Sequence, residues 1–237
     1  QSLFKSLCGL IYASILGQIA RIKIRVHAKK LSQDLLMPLK DTHRTHRVMY
    51  IKNNMWFGVK AGGSVGHVSG VVNSLVKLKH SVAFSSPESP KNLVNEVHIA
   101  PATPVPTMGM PPVVNTFLLN QKSINAGLEF ARDFKPTMIY QRLSVGDFTG
   151  AALSRKLGIP LVTEYNGSEV WVARNWGRGM RYSMECESAE MAMLKSSHLV
   201  FAVSEALQDE LIERGVPQNR VRWYPNCVDP KIYNPDR

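Results

Sequence analysis

Cysteine is scarce: Cys8, Cys186 and Cys227 are the only three in 237 residues, and no two stand at CxxC spacing. An odd number of cysteines so far apart offers neither a disulfide framework nor the ligand rhythm of a metal site, so a reducing compartment and no metal are expected. Acidic residues are also in short supply, with 18 Asp and Glu against 29 Lys and Arg and a net charge of +11. The longest apolar segment, residues 6–20, is 15 residues, short of the ~20 that a spanning helix needs. Its basic residues mostly follow it, the reverse of a signal peptide.

What is present resembles an ordinary globular protein, 44% hydrophobic and 20% charged, which excludes disorder, collagen and coiled coil. The length bounds one large domain or two small ones. The basicity is local. Residues 1–52 hold ten Lys and Arg against Asp34 and Asp41, a charge of +8 that leaves only +3 for the rest. The apolar run followed by Arg21, Lys23, Arg25, Lys29 and Lys30 suits a helix lying on an anionic membrane surface. It suits equally a helix packed against another part of a longer chain. Basic and aromatic residues do not interleave, so nucleic acid is not an expected partner. The chain begins at Gln1 and stops just after Asn234-Pro235, and it is read as a fragment. Residues 1–46 are accordingly taken as a basic amphipathic extension.

From Arg47 onward, short apolar runs alternate with longer amphipathic ones, the pattern of an α/β fold with a mostly parallel sheet and helices on both faces. Strands are expected at Val48–Ile51, Ser81–Ser85, Glu96–Ala100, Met138–Gln141, Leu161–Glu164, Leu199–Val203 and Val221–Tyr224. Helices are expected at Val65–Leu78, Asn115–Phe134, Asp147–Leu157, Arg181–Ser196 and Glu205–Arg214. Gly158 and Gly215 read as helix ends and Ser204 as a helix start. Five prolines between 101 and 112 mark residues 101–114 as a rigid surface loop. Residues 47–225 form one domain and 226–237 the start of a linker.

Ligands of open α/β sheets bind beyond the carboxyl ends of the strands. After the first strand comes Gly58-Val59-Lys60-Ala61-Gly62-Gly63-Ser64-Val65-Gly66-His67, a glycine-rich turn able to aim helix N–H groups at an anion. It lacks the Lys-Ser/Thr pair of a Walker A loop and is not a strict GxGxxG, which disfavours a nicotinamide enzyme.

Gly62-Gly63-Ser64 with His67 on the next helical turn resembles the N-terminal glycine loop of GT-B glycosyltransferases, specifically family 4. A second block agrees: Val203-Ser204, Glu210-Leu211, Gly215-Val216-Pro217, Tyr224-Pro225-Asn226-Cys227-Val228-Asp229 and Tyr233-Asn234-Pro235 is similar to the family's closing pattern. Met138–Arg142 and Gly158–Gly167 resemble its middle strands. Two departures stand out: Cys227 replaces a usual glycine, and Asn166 lies where many members have histidine. The resemblance covers about residues 47–237. It implies a Rossmann-like, doubly wound acceptor-side domain of a retaining transferase that moves a sugar from a nucleotide donor to a hydroxyl acceptor, glycan or lipid-linked. The donor would sit mainly on a C-terminal domain beyond this chain, which alone would be inactive. No cofactor is implied besides the nucleotide-sugar co-substrate. The expected location is the cytoplasm, with the extension offering a peripheral position at the inner membrane face. The rivals are a non-catalytic acceptor- or lipid-binding module and a dinucleotide-binding oxidoreductase.

The residues assign no catalytic group. Gly62, Gly63, Ser64 and His67 form the candidate loop for donor diphosphate and acceptor, where backbone donors and a hydroxyl stabilise charge on a leaving diphosphate. His67 reads equally as a packing residue. Arg142 can present a fork to phosphate or carboxylate, or make a salt bridge. Asn166, Ser168 and Glu169 suit a hydroxyl-rich acceptor, while Ser168 also suits a helix cap. Ser204 and Glu205 read as capping. Trp171 and Trp176 can stack on a sugar face or simply pack.

Overall fold

The computed structural model describes residues 2–33, 36, 45–53, 63–100, 102, 112–177 and 179–227. In chain order the elements are α1 (Ser2–Gln33), β1 (Arg47–Ile51), α2 (Gly63–Lys77), β2 (Ser81–Ser85), β3 (His98–Ala100), α3 (Pro112–Phe134), β4 (Met138–Arg142) and α4 (Thr149–Leu157). There follow β5 (Leu161–Tyr165), α5 (Glu169–Asn175), α6 (Ser183–Ser196), β6 (Leu199–Ala202), α7 (Glu205–Glu213) and β7 (Val221–Trp223). Among the described residues the seven strands form one sheet in the order β3-β2-β1-β4-β5-β6-β7, every neighbouring pair parallel. This is the doubly wound α/β sheet that the alternating pattern led us to expect.

Alternation along each strand divides the core. On β1, Val48 and Tyr50 face α2 together with Val68, Val72, Val82, Phe84 and Tyr140. Met49 and Ile51 face the other way, into the larger cluster with Phe117, Ile124, Ile139, Leu153 and Met193. At the β7 edge, Leu211 of α7 packs with Tyr165, Val200 and Val221. Burying both faces of β1 explains why its four buried residues, Val48–Ile51, form a continuous apolar run. Gly158 closes α4 at φ 69°, a left-handed conformation that other residues adopt only at a cost. Ser204 caps α7, accepting the Leu207 N–H.

The structure amends three expectations. Pro112–Val114, read as loop, already belong to α3, whose first turn tolerates a proline because its N–H would be unpaired anyway. Pro101 and residues 103–111 lie outside the described residues. Helix α5 lacked a sequence period of its own, since seven residues give barely two turns. Helix α1 runs 32 residues, well past the apolar run. Over Leu7–Ser32 it is long and apolar enough to cross a membrane by length and composition. Its second half nevertheless packs on the domain: Ala20, Ile24, Ala28 and Leu31 belong to the same buried cluster as Phe117 and Met193. The core therefore extends back across the expected boundary at Arg47.

Candidate functional site

Strand order reverses at β1: β2 and β3 lie on one side, β4 to β7 on the other. A crevice outside the carboxyl ends is expected at such a switch point, where successive connections leave toward opposite faces. Lys52 and Asn53 follow β1 there, Arg142 ends β4, and Asn166 follows β5.

Glu164, fully buried on β5, is the hub. His67 Nε2 stands 3.1 Å from its Oε1, and Arg142 Nη1 pairs with the same oxygen. Asn166 Nδ2 donates to it at 2.7 Å, and the Tyr140 hydroxyl donates to Oε2 at 3.3 Å. Burial alone would raise the Glu164 pKa, but the close His67 contact and the Arg142 charge outweigh it and hold the carboxyl below the usual glutamate range. A row of rings floors this cluster: Tyr50 stacks on Tyr140 at 5.1 Å, and Tyr140 bonds the Tyr224 hydroxyl at 2.9 Å. Among the described residues, the Tyr50 hydroxyl and both His67 ring nitrogens are buried without a well-aligned hydrogen bond, Nε2 having its 3.1 Å contact with Glu164. Unsatisfied polar atoms of this kind cost about 1–3 kcal/mol each, which a structure sustains most readily where a ligand or water supplies the missing bond.

Lys52 is buried beside this cluster, its backbone N–H bonded to the Ser85 carbonyl at 2.9 Å. Burial, then the nearby Arg142 charge, lowers its ammonium pKa to about 7. On the other face of the same edge, Asn53, Asn120, Gln141, Asp147 and Thr149 form a buried polar network. Gln141 Nε2 donates to Asp147 Oδ2 at 2.7 Å, Thr149 Oγ1 to Asp147 Oδ1 at 2.6 Å and Asn53 Nδ2 to Thr149 Oγ1 at 3.0 Å. Burial pushes the Asp147 carboxyl up, and the hydrogen bonds from Thr149 oppose that shift. Asn120 adds the Gly146 carbonyl and the Phe148 N–H, pinning the loop between β4 and α4. That loop carries the Val145 N–H, which donates to Glu169 Oε1 at 3.2 Å.

Of the residues singled out in the sequence, His67, Arg142 and Asn166 converge on Glu164. Gly63 and Ser64 open α2 one turn before His67, while Gly62 lies outside the described residues. A Cβ at Gly63 would meet nothing within 4 Å, so the position is open. Ser168 caps α5, accepting the Trp171 N–H at 3.2 Å. Gly167 before it adopts φ 101°, which reverses the chain between Asn166 and the cap. Glu169 lies exposed at the rim. Trp171 and Trp176 are exposed and meet edge to face at 5.2 Å. Asn226, after β7, donates to Asn166 Oδ1 at 3.2 Å. Glu164 and Lys52 escaped sequence reasoning. The one signal for each was a charge at the carboxyl end of an otherwise apolar strand.

No curated protein matches the chain in sequence. Among solved structures it is similar to Anabaena Alr3699/HepE in complex with UDP-glucose, at 16% identity and a TM-score of 0.53, over 81% of this chain and 47% of that one. It is also similar to the UDP-GlcNAc 2-epimerase from Neisseria meningitidis bound to UDP-GlcNAc, at 14% identity and a TM-score of 0.50, over 76% of this chain and 47% of that one. Likenesses at these identities concern the fold, and the chain spans less than half the length of either protein. The model of Glycosyltransferase Family 4 matches residues 61–232, from the glycine turn to just beyond β7 and well over half the sequence. With the parallel sheet and its switch-point cluster, that match establishes that the chain belongs to glycosyltransferase family 4.

Proposed function

We propose that this chain is the acceptor-side domain of a retaining glycosyltransferase, moving a sugar from a nucleotide donor to a hydroxyl acceptor when joined to a donor-binding domain. The observation that carries the reading is the convergence of His67, Arg142 and Asn166 on buried Glu164 at the switch point of the sheet. HepE and the epimerase are bound to UDP-sugars, which makes UDP-linked donors the first class to test.

In this reading the first turn of α2 faces the leaving diphosphate. The N–H groups at the start of a helix carry no intrahelical partner and, with the helix dipole, stabilise the charge that develops there. Glu164 holds the His67 ring in place, so that the imidazole presents a fixed edge to a sugar hydroxyl. Asn166 and Glu169 supply both hydrogen-bond donors and acceptors at the acceptor side. Lys52, poised near neutrality, adds positive charge when an anion arrives.

The test is transfer from UDP-sugars to hydroxyl acceptors by the enzyme carrying its donor domain, with Glu164→Gln beside the wild type and the anomeric configuration of the product determined. A fall in kcat/KM of about 100-fold, as for loss of one preorganised polar group, supports the reading. Transfer unaffected by Glu164→Gln overturns it.

A further inference from the structure

Helix α1 carries apolar residues on two opposite faces. One, with Ala20, Ile24, Ala28 and Leu31, is buried on the domain. The other, with Ile11, Ile15, Ile19, Ile22 and Val26, is exposed along its length. The spacing of that second set, four, four, three and four residues, keeps it on a single stripe at 100° per residue, diametrically across from the buried one. A helix needs only one apolar face to dock on its own domain, so the second is unaccounted for by the fold. Lys23 and Lys30 border the stripe on one side and Lys29 on the other, and α1 contains no Asp or Glu. Apolar side chains flanked by long cationic ones are complementary to a surface that is apolar below and anionic above.

We propose that this outward stripe docks the protein on an anionic lipid bilayer, with α1 lying in the headgroup plane. The inference goes beyond the transferase reading and stands independently of it. A span is not the geometry: Ala20, Ile24, Ala28 and Leu31 are held against α3 and α6, so the second half of the helix cannot enter the hydrocarbon without leaving its own core. Orientation follows from two contacts. Arg21 and Arg25 pair with Glu185 in the first turn of α6, and the Leu31 carbonyl accepts from Ser196 at its end. α1 thus runs alongside α6 in the same direction, and its first half continues past the carboxyl edge of the sheet, where the candidate site lies. Docked along the stripe, the site opens sideways over the headgroups, within reach of an acceptor anchored in the same leaflet.

Co-sedimentation of the full 237-residue chain with phosphatidylglycerol/phosphatidylcholine vesicles and with pure phosphatidylcholine vesicles tests the proposal. Binding is expected only to the anionic vesicles and is expected to weaken as salt rises. Changing Lys23, Lys29 and Lys30 together to Gln lowers the binding constant by about two orders of magnitude. Ile15→Ser, Ile19→Ser and Ile22→Ser combined lower it by roughly tenfold or more. Because all six side chains are exposed, thermal melts of the variants should match the wild type. Equal binding by wild type and variants overturns the proposal. So does retention in the membrane after alkaline extraction, which indicates a span, or a dimer by sedimentation velocity that the isoleucine variant converts to monomer without any vesicle binding.

Discussion

Arg142 and Glu164 are register partners on adjacent parallel strands, so their side chains leave the sheet on the same face and pair directly under α2. Parallel register makes this an architectural contact, set by the alignment of β4 with β5.

Replacing Glu164 with Gln should leave the guanidinium without its counter-charge. Arg142 retains some solvent contact, so the loss falls below the ~3–5 kcal/mol of a fully buried broken pair, at about 2 kcal/mol, or about 4–8 °C in Tm. The sign with pH follows from the depressed pKa of Glu164 in the fold. Its stabilisation is fully present above the ordinary glutamate value near 4.5 and disappears as pH falls through the lower folded value. Urea titrations of wild type and Glu164→Gln should therefore differ at pH 7 and converge progressively as pH falls below the ordinary glutamate value. A gap that persists into acid would assign the effect to packing.

If the proposed function holds, Gly63→Val should reduce transfer while leaving folding nearly intact, because the new Cβ enters open space. Circular dichroism and initial rates, measured on the same preparation, separate the two effects. Unchanged donor and acceptor constants would make the start of α2 a simple turn.

Lys52 predicts a pH dependence of anion binding. Its ammonium, lowered to about 7, is half-neutral at neutral pH, and a bound anion favours the charged form. UDP binding should take up a proton near pH 7.5 and weaken as pH rises from 6.5 to 8.5. Calorimetry in buffers of different ionisation enthalpy reads the uptake, and Lys52→Met should abolish most of it. Equal uptake by the variant would place the titrating group elsewhere.

If the donor is held mainly on a further domain, as the proposed function has it, Asn166→Ala and Glu169→Ala should each raise the acceptor KM more than the donor KM. Ser168→Ala is the control. It removes the α5 cap at about 1 kcal/mol and shows how much of any acceptor defect comes from loosening the turn. A fall in nucleotide affinity as large as the fall in acceptor affinity would contradict this division.

The strands were legible within a residue or two because periodicity is local: Ser81–Ser85 is recognisable from five side chains. Asn166 and Arg142 were legible too, from their place after strands in an open parallel sheet. Glu164 was not. A glutamate near the end of a strand reads as a solvated position, and what buries it comes from Arg142 on another strand and from His67 on a helix 97 residues earlier. For α1 the sequence offered a membrane-surface helix and a packed helix alike, because apolar residues at helical spacing are evident, but which stripe meets the core is decided by α3 and α6, far along the chain.

The position of β1 in the sheet also sets the order in which the molecule can be assembled during synthesis. Within the sheet, β1, α2 and β2 emerge before the other strands and can associate locally, while the other edge of β1 stays unpaired until β4 appears some fifty residues after β2. For that interval the nascent chain carries an open strand edge and a histidine without its carboxylate, the kind of exposed half-sheet that chaperones intercept. His67 meets Glu164 only when β5 has added to β4, so completion of the cluster reports that both halves of the sheet have joined in register.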